Sequence, residues 1–391
     1  MVLCKYSAHQ KEVATIRKSL LDFIKRADIL LLVICVTSSI IGIAIVASAS
    51  ASYSNSGRLI AVQTGAFLLG IAAYLLLTVL DIGIIAEKWP VLVVFNVLFL
   101  LSLRVWGDAR GGNLGWINLG IISVQPTEIV KFTYIVILAK HISYLKSYKN
   151  LDSFFSVAQL ALHFLLTFGL VIMTAQDLGS SLVFFFAFIV MLFVAGLKLY
   201  WFAVGFAAIA AAIPFLVTHV LQEYQIQRIL APYVASIDPA GTDVNWQLRN
   251  SQIALASGRL RGYGLFNGPQ SQSDAIPEKH NDFIFAVAGE ELGMIGCVVI
   301  LLLLLTIVIR CAYVGVNSKN TMNMLICFGI GSTVFFQTFE NIGMCIGLTP
   351  VIGITLPFFS YGGSSLASAL AAMGIVSGIR YRRKPERFHQ Y

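Results

Sequence analysis

Ten apolar stretches separated by polar breaks constrain this chain more than any other feature. They cover residues 28–48, 59–80, 90–104, 127–145, 154–173, 178–197, 199–220, 282–310, 322–348 and 359–380. A helix that crosses ~30 Å of hydrocarbon needs about 20 mostly apolar residues, which most of these supply. The third stretch is short, and the sixth and seventh are divided mainly by Lys198 and Tyr200. The chain is 58% hydrophobic and 12% charged, against about 25% charged in a soluble domain. The expectation is an all-α polytopic membrane protein with about ten transmembrane helices, residues 28–380 forming one membrane domain.

Basic residues mark the ends that stay in the cytoplasm. Lys5, Lys11, Arg17, Lys18, Lys25 and Arg26 lie in the N-terminal segment 1–27, and Arg382, Arg383, Lys384 and Arg387 in the tail 381–391, just after Arg380. Both termini are therefore expected inside, which requires an even number of spans. Ten spans also place Lys140, Lys146 and Lys149 inside, and make residues 221–281 one long extracytoplasmic loop between helices 7 and 8. The charged region before the first apolar stretch is too long for a signal peptide, so that stretch is expected to stay as an anchor. The net charge of +8 follows from this topology and from attraction to anionic headgroups. No basic stripe with interleaved aromatics points to nucleic acid. The six cysteines show no paired spacing and mostly lie in the spans, so neither a disulfide framework nor a zinc site is indicated.

The polar chemistry is concentrated in a few places. The 221–281 loop holds "GRLRGYGLFNG" (258–268), with Arg228, Arg249, Arg259, Arg261 and Lys279. Five bases on the outer side oppose the usual bias, and an anionic partner such as a diphosphate explains them. Charge inside a membrane is costly and marks function. Glu128 and Lys131 stand three apart in "SVQPTEIVKF" (123–132), on one helix face, as an ion pair that is structural or also shapes a cavity. Asp177 in "AQDLGSS" (175–181) reads as a helix N-cap. Glu340 reads as an interior acid.

In "PEKHNDFIFAVAGEELG" (277–293), Lys279, His280 and Asp282 form an accessible outer group. On a continuous helix Glu290 lies ~12 Å deeper than Asp282 and Glu291 faces the opposite way. No close carboxylate pair is then available for a two-carboxylate retaining mechanism. A single accessible carboxylate acting as general base fits better.

"PEKHNDFIFAVAGEELG", "NIGMCIGLTPVIGITLPFFSYGGSSL" (341–366), "QPTEIVK" (125–131) and "QDLGSSL" (176–182) together resemble the shape, elongation, division and sporulation family, the RodA and FtsW proteins. The likeness runs in order from about residue 28 to 380. It implies a peptidoglycan glycosyltransferase of the bacterial plasma membrane that polymerises lipid II into undecaprenyl-linked glycan on the outer face. It also implies a class B penicillin-binding protein as transpeptidase partner, within an elongation or division complex. By motif, Asp282 becomes the catalytic residue. Trp116 in "GWINLG", the Glu128 and Lys131 pair, and the 360–365 turn containing Ser364 become site or structural candidates. Arg249, Arg259, Arg261 and Lys279 are the candidate cations for the leaving diphosphate, with or without a divalent cation, magnesium or manganese.

The chain departs from the family pattern at Asn281, usually threonine, at Gln176, usually proline, and at Asn118, where the family usually has a basic residue near "GWINLG". The family's glycine-rich lysine is Tyr263 here, while Arg259 and Arg261 are extra. The 341–359 stretch is closer to the rod-shape branch than to the division branch. Rival readings are a flippase for the lipid-linked precursor, to which the glycine- and proline-interrupted 347–363 segment would suit, and a noncatalytic scaffold of the wall-synthesis complex.

Overall fold

The computed structural model describes residues 25–383, apart from 111–112, 121–122, 220–222, 235, 239–244 and 274. The N-terminal bases before Lys25, and Lys384 and Arg387 in the tail, lie outside the described residues. The chain is a mostly helical, multi-pass membrane protein. Its long helices are α1 (Ile29–Ala49), α2 (Ser56–Val79), α4 (Trp89–Leu101), α6 (Pro126–Tyr148), α7 (Phe154–Ala175), α8 (Leu178–Ala195), α9 (Leu199–His219), α12 (Ile284–Val316), α13 (Thr321–Ile346) and α14 (Gly363–Tyr381). Short helices are α3 (Ile82–Glu87), α5 (Leu103–Trp106), α10 (Glu223–Leu230) and α11 (Trp246–Ser257). Seven helical segments among the described residues are long and apolar enough to cross a membrane. α6 and α14 fall outside that set, and α9 has only a shorter apolar run, Leu199–Pro214.

Local chemistry sets the helix ends. Asp28 caps α1 by accepting from the Leu31 amide at 3.2 Å, Ser153 caps α7 from Ser156, and Asn320 caps α13 from Met322. Each oxygen satisfies an amide that has no partner within its own helix. Pro126 opens α6, where its missing N–H costs nothing.

The bundle closes where small residues let backbones meet. α14 lies along α2 so closely that a Cβ on Gly374 would stand 2.6 Å from the Tyr74 carbonyl oxygen. At one end of the bundle, fully buried Asp28 pairs with Arg310 at 2.8 Å and Arg380 at 2.9 Å. Its carbonyl accepts from the Tyr74 hydroxyl and its amide donates to Ser377. One carboxylate and its backbone therefore tie α1, α2, α12 and α14 together.

The all-α class holds, with one small addition: β1 (Gly107–Arg110), β2 (Asn113–Asn118) and β3 (Ser123–Val124) form an antiparallel sheet in the order β1-β2-β3, with Asp108 opposite Trp116 and Ile117 opposite Val124. One expectation needs correction: the helix after Asp282 is not continuous. α12 breaks at Gly293 (φ 68°, ψ −168°), two residues beyond Glu291.

The 258–264 loop supplies the hydrogen bonds that the break removes. The Met294 and Ile295 amides donate to the carbonyls of Arg259 and Leu260, while Tyr263 and Gly264 amides donate to those of Glu290 and Glu291. Apolar α12 beyond the break, up to Val316, is ~34 Å long, enough to cross the membrane by itself. Glu290 and Glu291 thus stand together at the end of that span, beside the end of α1, and not deep within the helix.

Candidate functional site

Asp282 sits in the turn just before α12, where its amide and that of Asn281 donate to the Glu278 carbonyl. Three successive carbonyls of this turn are held from outside. The His280 carbonyl accepts from the Tyr361 amide at 2.8 Å, that of Asn281 from the Ser360 hydroxyl at 2.7 Å, and that of Asp282 from the Asn341 side chain at 2.7 Å. Asn341 also donates to the Ile354 carbonyl at 2.7 Å, and Ser360 accepts from the Leu356 amide. Gln63 of α2 closes the set by donating to the Ser360 carbonyl and accepting from the Gly362 amide. The segment 350–362 is neither helix nor strand, and side chains satisfy its backbone.

The Asp282 carboxylate is half-buried and faces Gly353, where a Cβ would stand 3.2 Å from Oδ2. Burial is the main cause that pushes its carboxyl up to about 7, with the charges of Glu278 and Asp177 adding to the rise. Arg228 on α10 opposes them. A carboxyl near 7 is a competent proton acceptor at neutral pH.

Asp177 caps α8 as expected, accepting from the Ser180 amide at 3.0 Å and the Ser180 hydroxyl at 2.6 Å. It does more than cap. The Gln125 side chain reaches it at 3.4 Å, and the Gln125 amide donates to Ser364 at the start of α14. Burial raises the Asp177 carboxyl while Ser180 lowers it, and the charge of Glu128 raises it further. Glu128 itself holds Lys131 at 2.8 Å, with Lys131 also on Gln337 at 3.3 Å. A strip of coupled charge therefore runs from α6 through the cap of α8 to Asp282. Trp116 lies on β2 next to Gly115, whose Cα faces the Gln125 amide group.

The other expected residues are placed differently. Lys279 is fully buried, and its ammonium donates to Ser52 Oγ and to the carbonyls of Ser271 and Ser273, 5.0 Å from the Tyr53 ring centre. It staples the loop and is not presented to a diphosphate. His280 lies between Tyr53 and Tyr361, ring centres 5.3 and 5.5 Å away, with Nδ1 buried and unpartnered among the described residues. Burial lowers its pKa, so it acts as a neutral aromatic wedge.

Arg259 and Arg261 are exposed but anchored at the Gly293 break, the length of one short helix (~13 Å) from Asp282. Arg249 is exposed on α11. Glu290 accepts from the amides of Gln270 and Ser271 and from the Ser271 hydroxyl. Glu291 accepts from Ser48 and Gln272. Both glutamates fasten the loop to α12 and α1.

Glu278, Asn341 and Gln125 are not singled out by the sequence reading, whereas Arg228 stands among the loop bases and Ser360 in the 360–365 turn. Asn341 and Gln125 lie inside the quoted motifs as polar residues in apolar surroundings, which is the signal that finds them.

Comparison with known proteins covers most of the chain. The family model for the FtsW, RodA and SpoVE type of cell cycle protein matches residues 28–385. Peptidoglycan glycosyltransferase MrdB of Escherichia coli strain K12 is 34% identical over 299 residues, 76% of this chain and 79% of that protein. Stage V sporulation protein E of Bacillus subtilis is 34% identical over 371 residues, 91% and 98% of the two chains. One solved chain, from a peptidoglycan synthase complex that coordinates polymerization and crosslinking, has a TM-score of 0.76 at 28% identity, covering 92% of this chain and 99% of that one. The rod shape determining protein RodA of Thermus thermophilus has a TM-score of 0.66 at 26% identity, covering 90% and 96%.

Proposed function

The chain is a peptidoglycan glycosyltransferase of the FtsW, RodA and SpoVE family, and on that premise we propose that Asp282 is the general base with which it polymerises lipid II on the outer face of the bacterial plasma membrane. One observation carries the assignment. The turn of residues 280–282 is clamped at three carbonyls, and from it projects a half-buried carboxylate whose proton affinity is set near neutrality.

In the proposed step the 4-hydroxyl of the acceptor sugar gives its proton to the Asp282 carboxylate. Its oxygen bonds to the anomeric carbon of the donor, and the bond from that carbon to the diphosphate oxygen breaks. Fixed placement of the base removes the cost of bringing it to the hydroxyl. The leaving lipid diphosphate gains charge, and cations stabilise it. Arg249, Arg259 and Arg261 are the candidates, joined by Arg228, the cation whose field reaches Asp282. Lys279 leaves that list because its donors are occupied. No group of three or more His, Cys, Asp or Glu among the described residues could hold a metal ion. A magnesium or manganese ion bound with the diphosphate would neutralise its developing charge.

The membrane arrangement belongs to the same proposal. Ten spans with both termini cytoplasmic put Asp282, Asp177 and the 221–281 loop on the outer side, where sugars lie under the loop and lipid tails lie between helices. The class B penicillin-binding protein is the proposed partner, supported by the solved relative from a synthase complex. The rod-shape branch is proposed from the 341–359 motif. Purified protein given lipid II should form glycan polymer without moving labelled precursor across liposomes. Transport without polymer would favour the flippase reading.

A further inference from the structure

At the end of the bundle opposite Asp282, the tips of α1, α12, α13 and α14 line an open cavity of about 810 Å³. That is many times the ~30 Å³ share of one water. Six cations line it: Lys25, Arg26, Lys319, Arg380, Arg382 and Arg383. Among the described residues no acid is in its wall. Two of the cations are compensated nearby, Arg380 by Asp28 and Arg382 by Asp81. Lys25, Arg26, Lys319 and Arg383 have no ion pair among the described residues. A topological bias would be met by bases spread over the surface, whereas these converge on one concavity.

The wall also says what kind of anion fits. Ile309, Tyr313 and Val316 of α12 are 58%, 52% and 69% exposed, and this apolar stripe runs along the helix to the mouth of the cavity, where Tyr313 is part of the lining. A soluble phosphate has no use for that stripe, while an acyl chain lies along it. The side-chain oxygen of Asn323, another lining residue, is buried without a hydrogen-bond partner among the described residues. Among cations that bind phosphate oxygens it is an acceptor, suited to a headgroup hydroxyl.

We propose that this cavity binds the headgroup of an anionic glycerophospholipid of the phosphatidylglycerol type, its phosphate on the unpaired cations and a glycerol hydroxyl on Asn323. Basic pockets between helix ends on the cytoplasmic side suit such headgroups. The site thus rests on the proposed orientation of the helices but not on the assignment of Asp282. Occupied, it would join the end of α13 to those of α1, α12 and α14, which Asp28 already ties together.

The test is native mass spectrometry of the purified full chain titrated separately with phosphatidylglycerol, phosphatidylcholine and inorganic phosphate. The triple variant Arg26→Gln, Lys319→Gln, Arg383→Gln is compared with Lys88→Gln, Lys140→Gln, Lys149→Gln, which removes the same charge at the same end but outside the cavity. Wild type should retain phosphatidylglycerol, and the first triple should bind it about a hundredfold more weakly. The second triple should match wild type, and retained lipid II polymerisation by both variants checks that they fold. Equal weakening in both triples would reduce the site to diffuse surface charge. Equal binding of phosphatidylcholine, or displacement by millimolar inorganic phosphate, would also overturn the proposal, the latter in favour of a soluble anion.

Discussion

The side-chain amide of Asn341 donates a 2.7 Å hydrogen bond to the backbone carbonyl of Asp282, and its second N–H holds the Ile354 carbonyl at the same distance. Asn341 is fully buried. It fixes the carboxylate without facing substrate. Asn341→Leu strands two carbonyls, each costing about 1–3 kcal/mol, and lets the turn shift, where ~1 Å of misplacement is worth about a hundredfold in rate. The turnover of lipid II should fall by about that factor while KM changes little. Steady-state kinetics separates this from a substrate-binding role, which would raise KM.

The pH dependence has a defined sign. As the proposed base Asp282 acts in its ionised form, so the rate should rise with pH and level off above about 7, where burial has placed its carboxyl. The charge of Glu278 contributes to that elevation and Arg228 opposes it. Glu278→Gln should therefore move the rising limb to lower pH, and Arg228→Gln should move it higher. Polymerisation rates measured from pH 5 to 9 check both directions.

Lys131 and Glu128 form a buried pair, their side chains 5% and 7% exposed. Lys131→Met leaves a carboxylate uncompensated inside the bundle and should destabilise the protein by about 3–5 kcal/mol. Adding Glu128→Gln should restore most of the loss. Thermal unfolding of the single and double variants in detergent reads the coupling.

Gly262 closes the break in α12. Its φ is +72°, and an added Cβ would meet the Glu291 carbonyl oxygen at 2.2 Å. Gly262→Ala should detach the 258–264 loop from Gly293, leaving four backbone hydrogen bonds open at the end of the span. Limited proteolysis should then cut this loop faster than in wild type, with cleavage elsewhere unchanged.

Much of this was legible in the chain itself. Apolar length marks each long helix, and Asp177 announces a helix start because capping is a local property. Asp282 stood out because a carboxylate beside an apolar run has few inexpensive explanations. Long-range partners were not legible. Residues 282–310 read as one apolar run, and only the contact with the 258–264 loop makes the left-handed backbone of Gly293 workable. Lys279 showed its charge but not the three oxygens that bury it. Arg228 reaches Asp282 only because the fold carries α10 there, and the strands flanking Trp116 are too short for a clear alternation of polar and apolar residues.

The central claim is that Asp282 takes the acceptor proton. Asp282→Asn keeps the size and the backbone clamp of the turn while removing the base, and loss of a general base costs about 10²–10⁴ in rate. Lipid II polymerisation by purified, folded Asp282→Asn protein, measured beside wild type, is the most direct test. Glycan polymer should fall by at least about a hundredfold with lipid II still bound. Polymer formed at the wild-type rate would contradict it.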